Sequence, residues 1–254
     1  MADSLLSASG ITVQFGGLVA LGDVDIDVAS SGITGLIGPN GAGKTTLFNV
    51  ITGLQRPTKG AVHYDGNEIT RWSPNRRGRA GIARTFQRLE LFGGMSVRDN
   101  LRAAWEAKTP GGVFGRGGEK GRELVDAVIA RLDLTGIADR KAGTLPTGLG
   151  RIVELGRAMC AQPRLLLLDE PSSGLDGGET AMFRDLLLEL TDPARGLGDG
   201  PVPAVLLVEH DVRLVMEVCR QITVLDFGRM ICRGTPAEVQ DDPAVIAAYL
   251  GEAA

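Results

Sequence analysis

The stretch Gly38-Pro39-Asn40-Gly41-Ala42-Gly43-Lys44-Thr45-Thr46 fits a glycine, four free positions and then Gly-Lys-Thr. An apolar run, Ile33 to Ile37, leads in as a buried strand, and Leu47 to Ile51 leads out with helical spacing. A strand–loop–helix path aims consecutive backbone N–H groups and a helix N-terminus at one anion. Glycines let the backbone close around phosphate where a side chain would obstruct it. In such a loop Lys44 reaches the β- and γ-phosphates and the Thr45 hydroxyl ligates Mg²⁺. The whole run from Gly38 to Thr46 is therefore read as a nucleoside triphosphate site.

At 254 residues the chain is long enough for one large domain, or one domain with a lobe. A net charge of −4 offers no global attraction to nucleic acid or to an anionic bilayer. Cys160, Cys219 and Cys232 form no CxxC pair and read as small apolar residues of a reducing compartment. No basic-then-apolar leader opens the sequence, and no run approaches the ~18–20 apolar residues that cross a bilayer. The expectation is a cytosolic chain whose membrane role, if any, needs separate membrane partners.

Asp23 to Val28 alternates strictly, which predicts a half-buried antiparallel strand. Ala61 to Tyr64 and Asn67 to Ile69 flank Asp65-Gly66, a hairpin signal. Leu165 to Leu168 and Ala204 to Val208 read as parallel strands buried on both faces. A second hairpin joins Ile222 to Leu225 with Met230 to Arg233 through Phe227-Gly228. Thr235 to Glu238 carries a capping box, and a last short helix follows Asp242-Pro243. Val97 to Trp105, Arg122 to Leu134 and Arg151 to Ala161 read as amphipathic helices inserted in this strand-rich core. Lys108 to Gly121, rich in glycine, is expected to be a flexible loop.

Leu165 to Leu168 runs into Asp169-Glu170. At a strand's carboxyl end beside a phosphate loop, Asp169 is placed to hold Mg²⁺ through water and Glu170 to polarise the attacking water. A second strand ends in Glu209-His210-Asp211, which brings His210 to the γ-phosphate.

Phosphate loop, Arg84-Thr85-Phe86-Gln87, Leu-rich strand with Asp-Glu-Pro, Ser173-Gly174-Leu175-Asp176 and a final His follow one another in this order. The whole chain thereby resembles the ATP-binding subunit of ABC transporters. Leu91-Phe92, Met95-Ser96-Val97, Asn100-Leu101 and the ending Gly234-Thr235-Pro236 to Gly251 resemble the branched-chain amino-acid importer branch, of LivG type. The resemblance implies an α/β fold: a P-loop NTPase (RecA-like) core with an N-terminal antiparallel β subdomain and an inserted α-helical subdomain. One ABC ATPase domain would fill residues 1–254, with 1–90 and 162–254 as nucleotide-binding core and 91–161 as helical part. It implies ATP and Mg²⁺ as bound groups, adenine stacked on Phe15, and Gln87 touching Mg²⁺ and linking it to a membrane partner. Thr147 and Gly148 would reach the ATP of a second ATPase subunit, and Asp176 would cross that interface. It further implies two membrane permease subunits, a solute-binding protein acting through them, and a place on the cytoplasmic face of the membrane.

Where the family has Leu-Ser-Gly-Gly-Gln, this chain has Leu145-Pro146-Thr147-Gly148-Leu149. Pro146 removes a hydroxyl and a backbone donor, Leu149 replaces an amide, and a helix is expected to begin near Gly150. This departure favours a heterodimer with one weakened site over a homodimer, which would carry the defect twice. Two other readings stay open: an ATP-binding subunit without turnover, and an ABC-type ATPase acting on nucleic acid or ribosomes. The second would use the basic stretch Arg71, Arg76, Arg77, Arg79, Arg84 and Arg88, although the acidic chain argues against nucleic acid. Leu89, Leu91, Phe92 and Val97 are candidates either for permease docking or for packing the helical part.

Overall fold

Alternation along Asp23 to Val28 is realised: Val24, Ile26 and Val28 are buried while Asp25 faces solvent. The computed structural model describes residues 4–108, 117–192, 194 and 201–250. In chain order its first elements are β1 (Ser4–Phe15), β2 (Leu18–Ala29), β3 (Ile33–Ile37), α1 (Lys44–Thr52), β4 (Lys59–Tyr64), β5 (Asn67–Glu68), α2 (Pro74–Arg79) and β6 (Ile82–Arg84). Helices α3 (Val97–Lys108), α4 (Gly117–Arg131) and α5 (Thr147–Cys160) follow, then β7 (Leu165–Asp169), α6 (Gly177–Leu190), β8 (Ala204–Val208) and α7 (Val212–Val218). The chain ends with β9 (Gln221–Asp226), β10 (Arg229–Gly234), α8 (Pro236–Gln240) and α9 (Pro243–Leu250). Two compact units form: Met1–Ala80 with Leu167–Asp169 and Ala204–Ala254, and Gly81–Leu166 with Glu170–Pro203.

The first unit holds an antiparallel sheet in the order β2-β1-β4-β5 and a second sheet running β10-β9-β3-β8-β7. Strand β3 pairs in parallel with both β8 and β9 (Leu36 opposite Val208, Ile37 opposite Val224). All five residues of β3 are buried, as are those of β8. A strand covered on both faces has no use for alternation, which explains the unbroken apolar run of β8 and the absence of alternation in β3. Both hairpins close as expected, with Asp65 and Phe227 at positive φ in their turns. The capping box at Thr235 and Glu238 is present in both directions.

In the second unit α3, α4 and α5 bury Leu101, Val128 and Val153 between them. Gly81 O, ahead of β6, accepts from Arg164 N (2.9 Å) and Leu165 N (3.1 Å) at the start of β7. Three boundaries differ from the sequence expectation. Helix α4 begins at Gly117, inside the glycine-rich interval, and Lys108 belongs to α3, while residues 109–116 lie outside the described residues. Helix α5 begins at Thr147, a turn before Gly150, because Pro146 at φ −56° and ψ 156° sets the chain up to enter a helix without needing its own N–H. Val97 is fully buried and packs the helices. Among the described residues no helix is long and apolar enough to cross a membrane.

Helix α2 has no counterpart in the sequence expectation, although Ser73-Pro74 is a cap followed by proline at the first position, with Ser73 Oγ accepting from Arg76 N (3.4 Å). It carries Arg77, which is 1% exposed. Its guanidinium donates to Val50 O (2.7 Å), Ile51 O (2.6 Å), Ile69 O (2.7 Å), Thr70 O (3.1 Å) and Trp72 O (3.3 Å). Two of these are terminal carbonyls of α1, so a cation caps the helix that the phosphate loop opens. Burial pulls the Arg77 pKa down to about 10, which still leaves it charged at neutral pH. Arg76 stacks on Trp72 at 3.8 Å and Arg84 lies 5.0 Å from the Phe86 ring, so with Arg77 half of the basic stretch is engaged within the chain. Arg77→Met removes five hydrogen bonds to main-chain carbonyls, of which Val50 O keeps Gly53 N and Ile69 O keeps Trp72 N, and is expected to lower unfolding stability by at least about 3 kcal/mol in urea titration. Arg77→Lys, which lacks the planar fork, recovers only part of the loss.

Candidate active site

Gly38 and Gly43 set the shape of the loop in the first unit. Gly38 has φ 150°, and a Cβ there would collide with Leu225 O. Gly43 has φ 101°, and its Cβ would lie 2.6 Å from Leu21 Cδ2. Ala42 N donates to Pro39 O (3.2 Å) and Gly228 N to Ala42 O (3.1 Å), tying the loop to the β9–β10 turn. Lys44 is buried, and its Nζ donates to Gly38 O (2.5 Å) and Pro39 O (2.9 Å). The ammonium is thus held across the loop at the first turn of α1. Gly43 precedes α1 with no capping side chain, leaving the first-turn N–H groups to face whatever the loop encloses. Asn40, Gly41 and Thr45 are exposed and Thr46 is half-buried.

Asp169 ends β7, 4% exposed. His210 lies two residues beyond the end of β8 and is exposed, while Asp211 caps α7 by accepting from Leu214 N (3.1 Å). Phe15 sits at the β1–β2 turn and is 50% exposed, so it is no core aromatic. Cys160 and Cys219 are buried, and burial pushes both thiols up to about 12; Cys232 is only half-buried. A phosphate chain with a hard cation fits this unit: backbone N–H groups, an ammonium, the Thr45 hydroxyl and the Asp169 carboxylate. Among the described residues no cluster of three or more His, Cys, Asp or Glu side chains can hold a metal alone. That donor set suits an ion that brings phosphate oxygens with it.

The second unit joins two of the predicted residues directly. Gln87 Nε2 donates to Glu170 Oε2 at 2.7 Å. Glu170 stands at φ 49°, a left-handed conformation that costs a side-chain-bearing residue about 1–2 kcal/mol and concentrates at functional sites. Its carbonyl accepts from Ser173 N (3.1 Å), fixing the turn after the strand. Thr147 is exposed at the start of α5, and Gly148 is buried where a Cβ would run into the Glu179 carboxylate. Asp176 and Glu179 form a reciprocal capping box on α6 (2.8 and 3.1 Å), a role visible in the Asp-x-x-Glu spacing but absent from the sequence reading. Arg151 and Glu154 of α5, also unforeseen, hold the backbone on either side of Gln87.

Comparison with known proteins agrees with this geometry. Residues 21–173 match the ABC transporter family, and residues 229–254 match the family described as branched-chain amino acid ATP-binding cassette transporter. The chain is an ABC transporter ATPase. It is 39% identical over the full length of both chains to the high-affinity branched-chain amino acid transport ATP-binding protein BraF of Pseudomonas aeruginosa. LivG of Escherichia coli, of the same description, is 36% identical over the full length of both. The ADP conformation of MJ1267, an ATP-binding cassette of an ABC transporter, superposes with a TM-score of 0.82 at 31% identity, covering 98% of this chain and 99% of that one. ATPases of this family hydrolyse ATP to drive transport, work with membrane permeases and dimerise.

The two kinds of glycine in the ABC ATPase loop separate experimentally. Gly38→Ala meets a backbone carbonyl and is expected to lose Mg·ATP binding together with at least about 3 kcal/mol of stability. A Cβ at Gly41 meets nothing within 4 Å, so Gly41→Ala carries only the conformational cost of about 1–2 kcal/mol at φ 79°. Urea midpoints and nucleotide titration of both variants check the contrast.

Proposed function

We propose that this chain drives import of branched-chain amino acids or closely related small solutes. The observation that carries the reading is full-length likeness to BraF and LivG, both named for that transport, joined to the match over residues 229–254. In this reading two permease subunits form the passage, a solute-binding protein feeds them, and the ATPase works on the cytoplasmic face beside a second ATPase subunit. Leu89 and Phe92, 38% and 52% exposed, offer a surface for a permease helix. Residues 91–161 serve as the helical part carrying the signature, and 1–90 with 162–254 as the nucleotide-binding core.

The proposed chemistry assigns each residue one task. Backbone N–H groups from Gly38 to Thr46 and the Lys44 ammonium bind the β- and γ-phosphates, while Phe15 stacks on adenine. Thr45, Asp169 and Gln87 hold Mg²⁺, which neutralises phosphate charge when bound. Glu170 accepts the proton of the water that attacks the γ-phosphorus, as the bond to the β–γ bridging oxygen breaks and ADP departs. His210 donates to the γ-phosphate. Thr147 and Gly148 approach the second subunit's ATP. With Pro146 and Leu149 in place of Ser and Gln, the site that borrows this signature is the slower of two, by about ten- to a hundredfold per lost hydrogen bond to charge.

Turnover of the reconstituted complex tests both parts. Lys44→Ala is expected to abolish Mg·ATP retention, and Glu170→Gln to keep binding while removing most turnover. The matching Glu→Gln change in the second ATPase should remove much less, and equal losses would refute the asymmetry. Pro146→Ser with Leu149→Gln should raise turnover of the complex.

A further inference from the structure

Between β6 and α3 the chain has no regular structure from Phe86 to Leu91, so its backbone groups need partners outside a ladder. One face of α5 supplies several of them. Arg151, 5% exposed, donates from Nη1 to Phe86 O (3.1 Å) and to Glu154 Oε2 (3.1 Å), and from Nη2 to Gln87 O (2.5 Å). Glu154, 2% exposed, accepts from Glu90 N at 3.4 Å. One turn further on, Arg157 donates to Glu90 O and its guanidinium lies 5.6 Å from the Phe92 ring. Burial lifts the Glu154 carboxyl pKa, opposed mainly by Arg151. Three charged side chains at spacing i, i+3, i+6 therefore determine where residues 86–90 lie. The Gln87 side chain leaves that segment for Glu170, 2.7 Å away.

We propose that Arg151, braced by Glu154, is a positioning residue for ATP hydrolysis. It sets Gln87 against Glu170 by gripping the Gln87 carbonyl from the helix whose first turn is the signature. The two main-chain carbonyls it bridges are consecutive, so a planar fork fits where a point charge does not. Because Arg151 lies one turn after Thr147 and Gly148, any tilt of α5 imposed at its first turn is carried to the Gln87 carbonyl by a buried lever rather than through the loop's own sequence. The inference rests on the proposed roles of Gln87 and Glu170.

A double-mutant cycle in the complete transporter, with ATP as substrate, tests it. Arg151→Met with Glu154→Met removes the buried pair together, so no lone charge is left behind. Expected are a fall in kcat of about ten- to a hundredfold, the range for a misplaced catalytic geometry, and Mg·ATP affinity unchanged within about twofold. Gln87→Ala added to the pair should cost almost nothing more, because both changes break one linkage. Arg151→Lys should fall between, and amides of residues 88–90 should exchange hydrogen faster in both variants while those of β3 do not. Unchanged kcat, or losses that add to those of Gln87→Ala, would overturn the inference. Glu170→Gln in the same preparation separates the two readings: if it leaves turnover intact, the proposed function fails independently of Arg151.

Discussion

Everything at the loop between β3 and α1 depends on main chain being allowed close to main chain. Gly38 leaves β3 where a methyl group would strike the Leu225 carbonyl of the adjoining strand β9. That contact fixes how tightly the loop turns, and hence where the Lys44 ammonium crosses it and where α1 starts. The constraint is steric, set by backbone atoms on both sides, so no rotamer change relieves it. The fully buried strand β3 is its other half. A strand with solvent on one face would leave the loop's takeoff point free to shift, whereas parallel partners on both sides hold it.

The opposite end of α1 is held by a different device. Arg77 covers the carbonyls of Val50 and Ile51, and Gly53 turns left-handed against the same guanidinium, with no room for a Cβ (2.9 Å to Arg77 Nε). A helix of nine residues is too short to be stable by propensity, so its length is set by what satisfies its ends. Positive charge at the carboxyl end also favours the dipole whose positive end faces the glycine loop. Loop and cap thus act on the same helix from opposite ends, one by exclusion and one by attraction.

The sequence was most legible where one physical rule governs one short segment. Parallel strands, both hairpin turns, the Thr235 capping box and the tight glycine turn between β3 and α1 all follow from local composition. It was least legible where a polar residue is committed to a distant backbone. Arg77 sat among five other arginines in what reads as a basic surface, and nothing local distinguishes the one whose donors are all satisfied inside. Arg151 and Glu154 likewise interrupt an apolar helical face, which periodicity treats as noise. Their partners are the Phe86 and Gln87 carbonyls and the Glu90 N–H, and main-chain groups have no side-chain identity to read. The early start of α5 is hidden for a related reason: Pro146 reads as a lost hydrogen-bond donor, although it equally suits the position before a helix.

That second role changes how the altered signature is understood. Leu149, one of the two substitutions, lines a recess of about 170 Å³ with Ile152, Leu175, Met182 and Phe183. Gly148 at its edge is pressed against Glu179, whose carboxylate also accepts from Asp176 N, so the first turn of α5 is fixed to the first turn of α6. A helix start built this way is rigid and largely apolar, with Thr147 the one exposed hydroxyl next to Pro146. Pro146 still accepts from Gly150 N (3.0 Å), so the helix begins cleanly without the donor that proline lacks. The chain has therefore traded hydrogen-bond donors at this turn for packing, without loosening the helix that carries Arg151. On the proposed reading, a weakened grip on a neighbour's phosphate and an intact hold on Gln87 are compatible in one helix, because different turns of it would make them.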